Sequence, residues 1–163
     1  MSCGQRSQVA LGLILAQDAE LLVLDDFSMG LDPGYRRLFV EYLRDYARNG
    51  AKTVFLTSHI IQDMEKLVDD CIVMDYGRIL VQMPVRELLG SFARYTFTTG
   101  AAELPPIEGA FHPGVMNGRA ELFSFAPQRQ VEQALGGAGI VFDGLVRESL
   151  NLEDAFIGLT GKY

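Results

Sequence analysis

The chain has little with which to ligate a metal, cross a membrane or grip a polyanion. Only two cysteines and two histidines occur in 163 residues. Cys3 and Cys71 stand far apart, which excludes the paired spacing of a zinc site. Two thiols in a chain without a signal peptide fit a reducing cytoplasm better than a disulfide framework. Basic residues are in the minority: 14 Lys and Arg against 21 Asp and Glu leave a net charge of −7. That balance argues against nucleic-acid binding, which shows as a basic face. No apolar run approaches the roughly 20 residues of a membrane helix. His112, between Phe111 and Pro113, has no Cys, His or paired acids nearby and reads as a loop histidine.

What is present begins with Ser2-Cys3-Gly4-Gln5, followed by a helical stretch from Arg6 to Ala16. Ser2 and Gln5 have the spacing of a capping box. A helix starting there aims free backbone N–H groups and the positive end of its dipole beyond Ser2, an arrangement suited to a phosphate. Taken alone, the four residues fit an ordinary N-cap on a buried helix at least as well.

Leu21-Leu22-Val23-Leu24-Asp25-Asp26 is a short apolar run of the kind buried on both faces of a parallel sheet. Its carboxyl end carries two acids. In open α/β sheets ligands bind just beyond the carboxyl ends of strands, and Mg²⁺ seeks carboxylate oxygen there, so Asp25 is a candidate Mg²⁺ ligand. In isolation, hydrophobic-Asp-Asp also fits a solvated turn. Asp32 can cap a helix whose first residue is Pro33, the position proline prefers. Tyr35, Leu38, Phe39, Tyr42, Leu43 and Tyr46 recur at helical spacing, and Asn49-Gly50 supplies the terminating turn. A second strand, Thr53 to Thr57, then delivers Ser58-His59 at its own carboxyl end, which places His59 on the same sheet edge as Asp25 and Asp26.

In this order and spacing the four motifs resemble the second half of an ATP-binding cassette (ABC) ATPase. Met1 to Gln5 resembles the LSGGQ signature, Leu21 to Asp26 the Walker B strand, Ser28 to Asp32 the D-loop, and Thr57-Ser58-His59 the switch-histidine loop. The likeness is strong from Met1 to about Gly90. It implies a fold class of α/β, the C-terminal portion of a P-loop ATPase domain with a partial parallel sheet, followed by a small α+β domain.

The resemblance also implies roles. Two such domains sandwich two ATP molecules head to tail, with Ser2 and Gly4 of the signature, which Gln5 closes, touching the γ-phosphate bound by the opposite subunit. Asp25 would hold Mg²⁺ through water, Asp26 would polarise the attacking water, His59 would contact the γ-phosphate, and Asp32 would couple the two sites. Catalysis in such a site is mostly positioning and charge stabilisation. The implied partners are a membrane permease and a second nucleotide-binding subunit, at the inner face of the cell membrane.

Two residues depart from the family pattern. Asp26 stands where glutamate is usual, one C–C bond of about 1.5 Å shorter. A misplacement near 1 Å can cost on the order of 100-fold, so slow hydrolysis is expected. Cys3 replaces the first glycine of the signature. A larger departure is the lack of any G-x-x-x-x-G-K-[ST] loop, whose amides and lysine cradle phosphates, and of a Q-loop. The reading expects a chain that starts within a domain, binds ATP poorly alone and does not hydrolyse it. A sheet lacking the phosphate-loop strand has a bare edge, which favours dimerisation or strand exchange.

Farther along, Ile60, Ile61, Met64, Leu67 and Val68 form an apolar helical stripe. Cys71 to Val81 reads as two strands around a turn at Asp75 to Arg78, with a helix from Pro84 to Leu89. The character then changes, with Pro105-Pro106, His112-Pro113-Gly114 and Asn117-Gly118 as loop punctuation. The expected domains are therefore 1–91 and 92–163. In the second, strands are predicted at Tyr95 to Thr99, Glu121 to Ala126 and Ile140 to Asp143, with helices at Pro127 to Leu135 and Leu152 to Leu159. The ending Ser149 to Gly161 resembles the tail of ATPases serving ABC-2 type exporters. Two other readings fit the same residues: a regulatory or interaction module built on an ATPase remnant, and a phosphohydrolase using Asp25 and Asp26 directly on Mg²⁺ and a small phosphoester.

Overall fold

The computed structural model describes residues 3–50 and 52–161, in two compact units, Met1–Leu67 and Val68–Tyr163. The first unit runs α1 (Cys3–Leu15), β1 (Leu21–Leu24), α2 (Pro33–Asn49), β2 (Thr53–Leu56) and α3 (Ile61–Met64). β1 and β2 pair in parallel, from Leu21 opposite Thr53 to Leu24 opposite Leu56. Parallel strands need a crossover between them, and α2 provides it.

α2 is tied to both ends of β1. Tyr46 Oη donates to the Ala19 carbonyl at 2.9 Å, and the Phe39 ring lies 5.2 Å from that of Phe27. Leu22, Leu24, Phe27, Leu31 and Leu43 are buried. Leu43 has no exposed surface, and its burial contributes about 2 kcal/mol. The expectation that β1 is buried on both faces is corrected here: Leu21 and Val23 are 57% and 66% exposed, as is Phe55 of β2 at 54%. Alternating side chains point to opposite faces, and the helix tied to β1 shelters one of them.

The helical stripe from Ile60 to Val68 is also shorter than expected. α3 holds four residues, and Ile60 at its N-cap makes no side-chain capping bond. An apolar residue there leaves the first amides without the acceptor that a Ser or Asp would offer.

The second unit opens with the antiparallel pair β3 (Asp70–Asp75) and β4 (Arg78–Pro84), followed by α4 (Val85–Ser91). Tyr76 and Gly77 in the connecting turn both have positive φ, 44° and 74°, the signature of a type I′ hairpin. β5 (Ala93–Thr99), β6 (Ala110–Met116), β7 (Arg119–Ser124) and β8 (Phe142–Ser149) form an antiparallel sheet in the order β6-β7-β5-β8, with α5 (Gln128–Gly137) and α6 (Leu152–Thr160).

One face of this sheet packs Tyr95, Phe97, Ala120 and Leu122 with Val131 and Leu135 of α5. The other carries Phe123, against which Gly158 of α6 is pressed. Phe92 has no exposed surface and sits among Phe111, Phe123 and Phe125, its ring 4.6 Å from that of Phe125. The two compact units divide at 67/68, so the change in sequence character at 91/92 falls inside the second. A buried aromatic centre occupies the place where that change suggested a junction.

β6 contradicts the loop expected around His112-Pro113-Gly114. The register jumps between Phe111 and Gly114, and His112 has φ 46°, so the segment is a bulged strand. Proline is tolerated because β6 is an edge strand. His112 Nε2 lies 3.3 Å from the Leu159 carbonyl, and its ring occupies the space a side chain at Gly161 would need. β8 extends to Ser149, six residues past the predicted end at Asp143. Its Glu148 is opposite Arg94, whose Nε and Nη2 reach Glu148 Oε2 at 2.9 and 2.6 Å.

Two outcomes follow for stability. A Cβ on Gly158 would meet the Phe123 ring at 2.5 Å, so Gly158→Ala should destabilise the second unit by about 1–3 kcal/mol in urea denaturation. Arg94 holds the Glu148 carboxyl below its ordinary 4.5, chiefly by their hydrogen bond. A depressed carboxylate stabilises above its unfolded pKa and loses that contribution as pH falls through the folded one. Glu148→Gln should thus cost less than about 1 kcal/mol of stability at pH 7 for so exposed a pair, read as a lower thermal midpoint, and the difference should shrink below pH 4.5.

Candidate functional site

The parallel register of β1 and β2 puts their carboxyl ends side by side. Thr57 N–H continues the ladder to the Leu24 carbonyl at 2.9 Å, and Asp26 N–H returns to the Thr57 carbonyl at 3.1 Å. Asp25 and Asp26 thereby stand next to Thr57, Ser58 and His59. Asp25 Oδ1 accepts a hydrogen bond from Thr57 Oγ1 at 2.5 Å. Asp26 Oδ1 lies 2.8 Å from His59 Nδ1. An ionised carboxylate only accepts, so this contact places the proton on Nδ1 and leaves Nε2 for another partner. The side chains of His59 and Asp26 are 64% and 30% exposed, so the pair is open to solvent.

Asp26 departs from strand geometry, with φ 44°. A non-glycine residue in the left-handed region costs of order 1 kcal/mol or more, and Asp is among the residues that bear it best. The reversal ends β1 and starts the turn that follows, in which Met29 N–H bonds the Asp26 carbonyl at 3.0 Å and Leu31 N–H that of Ser28 at 3.2 Å. Ser28 is 1% exposed. Gly30 completes the turn at φ 79°.

Asp32 follows at φ −68°, ψ 159°, and its Oδ1 accepts from the N–H groups of Gly34 and Tyr35 at 3.0 and 3.2 Å, with Pro33 in the first helical turn. The predicted cap of α2 is present as drawn from the sequence. Gly50 at the other end has φ −123°, not the left-handed value a glycine stop often takes; a Cβ there would collide with the Lys52 side chain at 2.5 Å.

α1 begins at Cys3, three residues before the predicted Arg6. Ser2 lies outside the described residues. Gly4 sits close to the Asp26–Leu31 turn, since a Cβ on it would be 3.0 Å from the Gly30 carbonyl. Gln5 is exposed on α1. The structure thus gathers Asp25, Asp26 and His59 at one sheet edge, sets Gly4 against Gly30, and commits Asp32 to a helix cap. Thr57 is the residue whose contacts exceed what its motif implied, its hydroxyl meeting both the Asp26 N–H and the Asp25 carboxylate, and no spacing in the sequence signals that bridge.

A groove of about 970 Å³ lies between α1 and α2 and is lined by Leu11, Leu15, Tyr35, Leu38 and Tyr42 among others. None of Asp25, Asp26, Asp32 or His59 lines it. The acid edge is the place with chemistry, because it concentrates proton acceptors and an imidazole.

Comparison with known proteins points the same way. Residues 1–62 match the family model described as "AAA domain, putative AbiEii toxin, Type IV TA system". Over 168 residues the chain is 30% identical to the Nod factor export ATP-binding protein I of Sinorhizobium fredii, covering 99% of this chain and 48% of that protein. The protein of the same name from Rhizobium meliloti is 31% identical over 99% of this chain and 49% of its own length. Over nearly its whole length the chain is homologous to ABC ATP-binding proteins. A further ABC relative, the energy-coupling factor transporter ATP-binding protein EcfA2 of Acetivibrio thermocellus, is 40% identical over 88 residues, 54% of this chain and 31% of the relative. The chain spans about half the length of the Nod factor export relatives it matches. Among the described residues, no helix is long and apolar enough to cross a membrane.

Asp32→Ala should remove the cap from α2 and cost about 1 kcal/mol, read as a lower urea midpoint, while Asp32→Asn should be nearly silent because its side-chain oxygen can still accept.

Proposed function

We propose that this chain contributes the Walker B, D-loop and switch-histidine portion of an ABC transporter ATP-binding subunit. The observation that carries the reading is the meeting of Asp25, Asp26 and His59 at the carboxyl ends of two parallel strands, with Asp26 and His59 2.8 Å apart. Catalytic roles go to Asp26 and His59, nucleotide contacts to Ser2, Gly4, Gln5 and Asp32, and the metal contact to Asp25.

The residues fit Mg²⁺ and ATP in one respect and leave another to be supplied. Among the described residues no group of three His, Cys, Asp or Glu side chains could hold a metal ion. Mg²⁺ with a nucleotide does not need one, being held by one or two carboxylates together with phosphate oxygens and water. Asp25 offers such a carboxylate, oriented by Thr57. The 163 residues include no G-x-x-x-x-G-K-[ST] loop, so the phosphate cradle is not supplied by these residues. When bound, the metal nucleotide supplies charge neutralisation and an activated phosphoryl group.

The chain's own residues would then act on that group and on water. Asp26 accepts hydrogen-bond density from the attacking water. His59, its Nδ1–H held by Asp26, would reach the terminal phosphate by donating an Nε2–H, which requires the ring to carry a proton on both nitrogens. Asp32 serves the contact between paired subunits while capping α2. Because Asp26 is shorter than glutamate by about 1.5 Å and already engages His59, hydrolysis should be slow.

On this reading residues 1–91 belong to the nucleotide-binding domain and 92–163 to an accessory α+β domain, although the hairpin β3–β4 and α4 pack with the latter. The partners are a membrane permease and a second nucleotide-binding subunit. The working place is the cytoplasmic face of the membrane, and the branch is that of exporters, in keeping with the Nod factor export name of the relatives.

The test is MgATP hydrolysis by the chain alone and mixed with a polypeptide carrying the phosphate loop. Turnover is expected only in the mixture, falling about 100-fold or more in Asp26→Asn and His59→Ala. Turnover by the chain alone would locate the nucleotide chemistry elsewhere, and silence in both would favour an interaction module.

A further inference from the structure

Consecutive residues of a strand point to opposite faces, so Asp25 and Asp26 cannot both serve one site while β1 continues as a strand. The chain resolves this by reversing Asp26 to φ 44°. Something must hold that reversal at a solvent-open edge, and the contacts show what does. Thr57 Oγ1 accepts the Asp26 N–H at 3.0 Å and donates to Asp25 Oδ1 at 2.5 Å. A hydroxyl has one donor and two acceptor positions, so one oxygen can make both bonds. The neighbouring hydroxyl is committed elsewhere: Ser58 Oγ accepts from Ile60 N–H at 3.0 Å and lies 3.4 Å from the Ile60 carbonyl.

We propose that Thr57 is the positioning residue of this site, its hydroxyl fixing the backbone of Asp26 and the carboxylate of Asp25 together, and thereby the contact between Asp26 and His59. The role rests on reading Asp25 and Asp26 as acids of phosphoryl transfer. Thr57 touches neither water nor phosphate in it. It sets the angle between two acids that do. Valine at this position keeps the shape but loses both bonds; the Asp26 N–H then retains only the Thr57 carbonyl at 3.1 Å. Serine keeps the oxygen.

The test reads the geometry first, in the intact chain. The ¹⁵N resonance of His59 Nδ1 should move in Thr57→Val toward its position in Asp26→Asn, where the carboxylate partner is gone, and stay at the wild-type position in Thr57→Ser. A Thr57→Val resonance that coincides with wild type overturns the proposal. Because valine could also disturb folding, hydrogen exchange of the wild-type chain gives a second decision. The Asp26 amide should exchange at least about tenfold more slowly than an unprotected loop amide, and exchange at the unprotected rate overturns the proposal.

In the two-polypeptide hydrolysis assay Thr57→Val should lower kcat about tenfold with KM for MgATP unchanged, and Thr57→Ser should recover most of it. Equal kcat in Thr57→Val and wild type also overturns it. If the wild-type mixture fails to turn over, the ATPase reading falls, while the ¹⁵N and exchange results still decide whether Thr57 orders the acids.

Discussion

The chemistry of the first unit hangs on the parallel register of two four-residue strands. Leu24 opposite Leu56 makes Asp25 and Asp26 level with Thr57 to His59. A slip of one residue would turn the inward leucines of β1 outward and separate the acids from the imidazole at the same time. Burial of Leu22 and Leu24 and the position of the acid edge are thus one constraint, enforced by apolar surface and read out as carboxylate placement. α2 secures it from both ends through Tyr46 and Phe39.

The second unit is organised differently, around a cluster of phenylalanine rings on one face of an antiparallel sheet and a mixed layer of aliphatic side chains with Tyr95 and Phe97 on the other. Phe92, at the end of α4, sits among three other phenylalanines. Gly158 lets α6 close on Phe123 where any side chain would intrude. Asn151 caps the start of α6, its Oδ1 accepting from Asp154 N–H at 2.8 Å, and Gly161 ends it at φ 68°. β3, β4 and α4 fall in the same compact unit as residues that differ from them in sequence character.

How much was legible beforehand divides along the range of the interactions. Local signals read well: Asp32-Pro33 as a cap, Tyr76-Gly77 and Asn117-Gly118 as turns, the two apolar strands ending in acid and histidine. Each depends on the conformational preference of a few adjacent residues. What failed depended on partners distant in the chain. β6 was hidden because Pro113 and Gly114 look like loop residues until β7 is there to pair with and a bulge absorbs the mismatch. The stripe from Ile60 to Val68 has helical spacing, yet the helix spans only Ile61–Met64 and starts at an N-cap without a side-chain acceptor. β1 looked buried on both faces because four consecutive apolar residues say nothing about how many layers will cover them. In the site, the residue types and their order were readable, whereas the reversal at Asp26 and the bridging hydroxyl of Thr57 were not, since neither leaves a mark in spacing.

The bulged β6 has a bearing on how this molecule meets others. Its rim of the sheet carries a proline without an amide hydrogen and a His112 turned out of line, so the row of donors and acceptors that a visiting strand would need is interrupted there. The opposite rim, β8, has its own irregularity at Gly144 and Leu145 but runs in regular register from Val146 to Ser149 and exposes Val146. Sheet extension in crowded solution is thereby made directional: one border is blunted by its own covalent structure, and the other remains the side on which addition could occur.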